Sequence, residues 1–431
     1  MPKIFTLIKI ILRSKFIFKT PEKHDLILWD DVSFNDLKNV ISGFDFFILQ
    51  TRPYKVTKVY ISFKIFRNIF KNFSKGNLFT AYLVSLIELI RPKVVITNID
   101  NSFKFSDVAK ILEKKTNFIA IQNASRGDLL QLDYLYNAKK VKHNLLKKYY
   151  IPNLFCFGDY ERELYKKLNI AVKNIYPVGN LRWANFLHHI KYENDSDEKY
   201  NSDICLISEY IGTSYLHATE AFDKRTKKKL NNPELSENIN IVRGYIEIVK
   251  YTIKFCIRNN MKLIVPFKRG KKYNKKFYEL EYEYYKKNLK KDEFDYLQKN
   301  FLEKEVENFS SYRAVLNSKV AVGINSTLLK DKLSTGGKIL SCNFTKTDLF
   351  DIPISGICLL NNCTYLEFEK RLLEIYSISN NDFVSKIDKK PKYAMKFDKD
   401  NSTINLIRGK LFQLGVKQNL LKTKHAKQLL H

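Results

Sequence analysis

The sequence predicts an α/β protein of two Rossmann-type domains whose parallel sheets face a central cleft. Three observations carry this. Short apolar runs of strand length alternate with helix-length segments over most of the chain. One polar stretch, Tyr192 to Asn201, interrupts the alternation near the middle. And 431 residues exceed what one hydrophobic core usually fills, since domains run to roughly 150 residues.

In order along the chain, Asp25 to Asp30 and Phe44 to Leu49 read as buried strands. Leu78 to Ile90 reads as a helix leading through Arg91-Pro92-Lys93 into the β-branched strand Val94 to Thr97. Phe105 to Lys115 is helical, Phe118 to Ile121 a strand, Leu154 to Phe157 a strand, Asp159 to Leu168 a helix and Ile175 to Val178 a strand. The second series begins with the strand Asp203 to Ile207 and a polar, irregular insertion at 212–240. Helix Ile241 to Asn259, strand Lys262 to Val265 and a solvent-facing helix Tyr273 to Lys291, rich in Tyr, Lys and Glu, follow. Val320 to Ile324 and Ile339 to Cys342 are further strands, and Thr403 to Leu414 is a late helix. The implied domains are 1–190, a linker at 191–202, 203–382, and a basic C-terminal tail at 383–431.

Composition narrows the function. The chain carries 75 Lys+Arg against 45 Asp+Glu, a net charge of +30. Such a field attracts polyanions, whether nucleic acid, anionic lipid or nucleotide. The abundance of Lys, Asn, Ile, Tyr and Phe also fits an AT-rich genome, which accounts for part of the excess. Basic and aromatic residues are spread over the whole chain and no nucleic-acid-binding motif appears, so a nucleic-acid partner is not expected. The six cysteines show neither CxxC spacing nor a Cys/His cluster, and read as buried thiols in a reducing cytosol. No apolar run reaches the roughly 18 residues that span a bilayer. Residues Lys3 to Arg13 would, as a helix, place Ile4, Ile8, Ile11 and Leu12 on one side and Lys3, Lys9 and Arg13 elsewhere. That suits an interfacial helix on an anionic membrane, or an ordinary first helix packed on its own domain.

The chemistry should lie in the loops after the strands. Thr97-Asn98-Ile99-Asp100-Asn101-Ser102 puts a carboxylate and amides at a strand end; Asp100 is the candidate general base, with helix capping by Asp100 or Ser102 as the alternative. Gln122, Asn123 and Arg126, in Gln122-Asn-Ala-Ser-Arg-Gly-Asp128, are candidate substrate ligands with Asn101, as are Asn180 and Arg182 after the strand ending at Val178. Lys268 and Arg269 form a candidate phosphate clamp. Ser310, Ser311 and Arg313 precede a strand that ends in Asn325-Ser326-Thr327 and opens a helix, a pattern suited to a nucleotide phosphate. No P-loop, GxGxxG or HExxH occurs, and Asp-x-Asp appears only in polar linkers, so neither a metal nor a cofactor is expected.

Four stretches together resemble a bacterial family of surface carbohydrate biosynthesis proteins: Arg91 to Asn101, Ile119 to Gly127, Tyr176 to Asn180, and Ser310 through Thr327 to Lys338. The chain departs from that family in having Asn123-Ala124 for Asn-Gly, and Asn325-Ser-Thr-Leu-Leu-Lys330-Asp331-Lys332 for Asp-Ser-Thr-Leu-Gly-Tyr-Glu-Ala. The missing Glu removes a natural ribose ligand, for which Asp331 is the candidate substitute. The resemblance implies the GT-B plan and a metal-independent glycosyltransferase of surface polysaccharide, capsule or lipopolysaccharide synthesis. The first domain would then hold a glycan or lipid-linked acceptor and the second a nucleotide-sugar donor, tilted towards a CMP-sugar by a distant similarity to CMP-Kdo transferases. The enzyme would sit in the cytoplasm, peripheral to the inner face of the membrane. The departures also admit a degenerate, inactive member. A polyol-phosphate transferase shares the plan but leans on paired histidines at strand ends, and here the only such pair is His188-His189, near the linker.

Overall fold

The computed structural model describes residues 12–52, 56–125, 149–191, 198–210, 233–346 and 348–418. In the first domain, β1 (Lys15–Ile17) and β4 (Lys58–Tyr60) form a small parallel pair. The main sheet has β2 (Leu26–Trp29), β3 (Phe46–Leu49), β5 (Val94–Thr97), β6 (Asn117–Ile121), β7 (Ile151–Cys156) and β8 (Val172–Pro177) in the order β3-β2-β5-β6-β7-β8. In the second domain, β9 (Ser202–Leu206), β10 (Leu263–Pro266), β11 (Phe301–Leu302), β12 (Ser318–Gly323), β13 (Lys338–Asn343) and β14 (Leu359–Asn361) run in the order β11-β10-β9-β12-β13-β14. Every pairing in both sheets is parallel. The second order is the 3-2-1-4-5-6 of dinucleotide-binding folds.

Central strands such as Leu26–Trp29, Val94–Thr97 and Leu263–Pro266 are buried at every residue, because helices cover both faces. Each sheet reverses direction once. The first does so between β2 and β5 and the second between β9 and β12, and at such points a crevice opens beyond the strands' carboxyl ends. This is the two-domain plan expected from the sequence.

Three features differ from the sequence expectation. The helix expected over 273–291 is two, Lys275–Asn288 and Lys291–Lys299, and the first is not solvent-facing throughout. It buries Glu281, Tyr284 and Tyr285 because its tyrosines belong to an aromatic cluster with Phe267 and Phe301. The insertion expected at 212–240 ends in helix from Pro233, part of Pro233–Arg258. And the late helix Thr403–Gln413 is no detached tail. Ile404, Ile407 and Leu411 join the core of the first domain beside Leu37, Val40 and Leu181. Arg408 donates to the carbonyls of Val40 and Ser42, each at 2.8 Å, capping the end of helix Phe34–Ile41. The returning chain runs so close to the first domain that a Cβ on Gly179 would lie 2.2 Å from the Lys396 carbonyl oxygen.

Candidate active site between the domains

Most of the predicted site residues within the described residues follow the carboxyl ends of strands, while Ser310, Ser311 and Arg313 lie in the helix Ser310–Asn317 before β12, and the structure gives them unequal surroundings. At the first reversal, β2 runs into Asp30, whose backbone adopts φ 77°. Its carboxylate accepts from Val32 N (3.3 Å), Thr51 Oγ1 (3.1 Å) and Arg52 Nε (2.5 Å). Burial works against its charge, yet hydrogen bonds from Asp31, Arg52 and Val32 hold its pKa below the usual carboxylate range. Asp30, Arg52, Asn101, Ser102 and Lys104 line a cavity of about 330 Å³ here.

Asp100 lies behind that lining, 1% exposed, and accepts from the Asn123 amide at 3.4 Å, which ties the β5 loop to the β6 loop. The capping role goes to Ser102, whose Oγ accepts from Phe105 N at 3.3 Å. Gln122 is buried and engaged with backbone: its Oε1 accepts from Phe157 N at 3.1 Å and its Nε2 donates to Ala124 O at 3.0 Å. Arg126 lies outside the described residues. Glu161, at the start of the helix after β7, is fully buried, and burial pushes its pKa up to about 7 against the pull of Lys330.

Asn180 joins the domains. Its Oδ1 caps helix Leu181–Ile190 by accepting from Arg182 N at 3.0 Å, while its Nδ2 donates to both carboxylate oxygens of Asp331, at 3.1 and 2.8 Å. Next to it Lys330 Nζ donates to Ser125 Oγ at 2.8 Å. Asp331, expected as a possible ribose ligand, is thus spent on the interdomain contact. Trp183 and Phe186 pack on Tyr312 of the second domain, with centroids 5.9 and 5.6 Å apart. Arg182 forks onto Asp36, with Nε at 3.0 Å and Nη2 at 2.8 Å from Oδ2. His188 and His189 end that helix and are not at a strand end.

At the second reversal Glu209, after β9, accepts the amides of Ile324 (2.8 Å), Asn325 (3.1 Å) and Ser326 (2.9 Å). Two of these, Asn325 and Ser326, belong to the Asn325-Ser326-Thr327 pattern expected to offer N–H groups to a phosphate, and here the protein's own carboxylate takes them. Burial raises the Glu209 pKa while the three amides and Lys268 oppose it. Ser326 Oγ caps helix Thr327–Ser334, and Thr327 is half-buried in its first turn. Ser310 Oγ accepts from Glu305 N at 2.8 Å, and Arg313, 3% exposed, donates to Asn308 O at 3.0 Å. Both brace the loop before their helix. Ser311 Oγ is buried and has no partner among the described residues.

Cations gather one strand further on. Lys268 and Arg269 follow β10 and Lys304 follows β11, with Lys268 half-buried and Arg269 exposed. Lys268 N donates to Glu281 at 3.1 Å, and Ser208 Oγ donates to the same buried carboxylate, whose pKa burial pushes up to about 7. Burial, helped by Arg269, Arg182 and Lys268, pushes Lys304 down to about 8. Among the described residues, none of the Lys268, Arg269 or Lys304 side chains is held in an ion pair. Glu209, Glu281 and Lys304 were not anticipated; the available signal was their position directly after an apolar strand or opposite one. Among the described residues no group of three His, Cys, Asp or Glu stands ready to hold a metal, and no helix is long and apolar enough to cross a membrane.

Residues 119–410 match the model of a family described as "putative O-antigen biosynthesis protein". No curated protein matches the sequence. Solved structures with similar folds include a UDP-GlcNAc 2-epimerase from Methanocaldococcus jannaschii, 12% identical, covering 90% of this chain and 99% of its own, TM-score 0.47. An α,α-trehalose 6-phosphate synthase from Burkholderia multivorans is 9% identical, with 95% and 98% covered and a TM-score of 0.46. A glycosyltransferase from Rickettsia africae ESF-5 is 10% identical, with 95% and 98% covered and a TM-score of 0.39.

Proposed function

We propose that this chain, which belongs to the family of O-antigen biosynthesis proteins, is a glycosyltransferase that moves a sugar from a nucleotide donor to a glycan or lipid-linked acceptor. The observation that carries the reading is the placement of Lys268 and Arg269 just after β10 and of Lys304 just after β11, none of them in an ion pair among the described residues, with Arg182 of the first domain near enough to help lower the Lys304 pKa. Like charges brought close are unfavourable alone and favourable around a diphosphate or phosphate. Positive side chains there would stabilise the charge that develops on a departing nucleotide, without a metal. The donor sugar is taken as CMP-activated, on the sequence resemblance.

The acceptor belongs at the open cavity of the first domain, where Asn101 offers an amide and Arg52 and Lys104 offer charge. Asp100, 1% exposed immediately behind Asn101, is the base that takes the acceptor hydroxyl's proton, which requires the Asn101 loop to shift so that the hydroxyl comes within hydrogen-bond reach. Asp30 does line the cavity, but its carboxylate is engaged by Arg52, Thr51 and the Val32 amide. The same reading keeps the enzyme cytoplasmic and peripheral to the membrane.

A thermal-shift panel of CMP, CDP, UMP, UDP and GDP on the wild type and on Lys268→Ala/Arg269→Ala tests it. Ligand binding to the folded state raises Tm by mass action. One nucleotide stabilising the wild type and not the variant supports the reading and identifies the donor class. No shift with any nucleotide at millimolar concentration overturns it.

A further inference from the structure

Helix Phe63–Asn72 reads Phe-Lys-Ile-Phe-Arg-Asn-Ile-Phe-Lys-Asn, and only part of its apolar surface is used by the fold. Ile65 and Asn72 are buried. Phe63, Phe66, Phe70 and, just past the helix, Phe73 are 81%, 51%, 78% and 57% exposed. At 3.6 residues per turn these four fall within roughly 80° of arc, and Lys64, Arg67 and Lys71 fall on the adjoining solvent-facing arc. Four rings at this exposure present on the order of 500 Å² of apolar surface, the size at which a patch marks an interaction site.

The patch continues beyond the helix. β1 lies beside β4, Ile61 N donates to Ile17 O at 2.9 Å, and Thr20 Oγ1 meets the capping Ser62 Oγ at 2.9 Å. Exposed Phe18, at 80%, therefore stands next to the start of the helix. On the other flank Leu78 is 60% exposed. Beside it, Lys104 Nζ lies 4.1 Å from the Phe79 ring centroid, and Lys104 also lines the open cavity.

Charge decides what could cover this surface. Between Asp45 and Glu88 the sequence has no acidic residue and seven basic ones. A second copy would bring two cationic rows together, which is repulsive. We propose that this face docks on an anionic lipid bilayer, with the phenylalanines entering the interface and the lysines and arginine meeting headgroup phosphates. The docking element is the helix Phe63–Asn72 with its flanks, and it sets the open cavity beside the membrane; most of the basic stretch Lys3 to Arg13 lies outside the described residues. This holds whatever reaction the cleft performs.

Co-sedimentation of the full chain with vesicles tests it. The chain should bind phosphatidylcholine–phosphatidylglycerol vesicles and not phosphatidylcholine alone, and added salt should weaken the binding. Phe63→Ser/Phe66→Ser/Phe70→Ser should bind about tenfold or more weakly, and Lys64→Gln/Arg67→Gln/Lys71→Gln should lose the preference for anionic lipid. All six side chains are exposed, so unchanged circular dichroism and Tm are expected of both variants. As an independent measurement, Phe70→Trp should shift its emission to the blue on anionic vesicles, against native Trp29 and Trp183, which are buried at 1% and 2% exposure. Wild-type affinity in the phenylalanine variant, or no blue shift, overturns the proposal. So does light scattering that shows a wild-type dimer and a variant monomer with vesicle binding intact, since the face would then join copies.

Discussion

In the first domain the crevice where strand order reverses is an open cavity of about 330 Å³, whereas in the second the equivalent crevice is closed by Glu209 on the amides of Ile324, Asn325 and Ser326. The two sheets follow the same topological rule, and the rule says only where a crevice forms. Side chains decide whether a ligand can use it. Here the second domain has occupied its own helix N-terminus, and the cations that would serve an anion stand one strand over, after β10 and β11.

The largest expected effect tests the open side. Asp100→Asn should lower kcat by roughly 10²–10⁴-fold, the usual worth of a general base, with the nucleotide thermal shift preserved. A near-normal kcat would reduce Asp100 to its bond with the Asn123 amide. Lys268→Ala/Arg269→Ala should then weaken nucleotide binding by roughly 10²-fold, as expected when two charge-assisted contacts to phosphate are lost. Asn101→Trp, which fills the open cavity, should raise the acceptor KM and leave donor binding alone; an effect on the donor instead would reverse the assignment of the two sides.

The plug itself can be removed. Glu209→Ala frees three part-buried amides and should destabilise the fold by about 2 kcal/mol, an effect that millimolar phosphate partly reverses in a thermal-unfolding assay. Phosphate having no more effect than on the wild type would mean that the crevice collapses when emptied. The smallest effect is a pH dependence. Lys304 is lowered from its usual value to about 8 by burial and neighbouring cations. An anion binds its protonated form, so the charged state is fully present below about 8 and is lost above. Nucleotide affinity should be flat below that pH and fall by up to tenfold per unit above it, and Lys304→Met should abolish the slope.

The strands were legible because their burial on both faces makes them short apolar runs, as at Val94–Thr97 and Ile119–Ile121. The helix Phe63–Asn72 was passed over although its apolar residues share one arc; much of that arc is exposed, so the core does not call for it. β11 is two residues long and carries no pattern. At the site, strand-end positions were readable and occupants were not. Lys330-Asp331-Lys332 reads as a charged surface triplet, yet all three are at most 3% exposed, because each finds a partner distant in sequence. Lys332 donates to the Val315 and Ser318 carbonyls at 2.6 Å, and Lys330 and Asp331 reach across to Ser125 and Asn180. Glu209 stood in plain view after its strand, but only the fold brings it to the β12 loop.

The return of helix Thr403–Gln413 to the first domain gives the molecule a host-and-guest build. The chain leaves one folding unit near residue 191, completes a second, and comes back to finish the first, so the second domain is an insertion inside its neighbour. A stop codon near residue 390 would therefore damage the domain farther from it in sequence, stripping Ile404, Ile407 and Leu411 from its core and Arg408 from the end of helix Phe34–Ile41. Dissecting the protein calls for excising the guest whole and splicing the host's two pieces, not for cutting the chain at its middle.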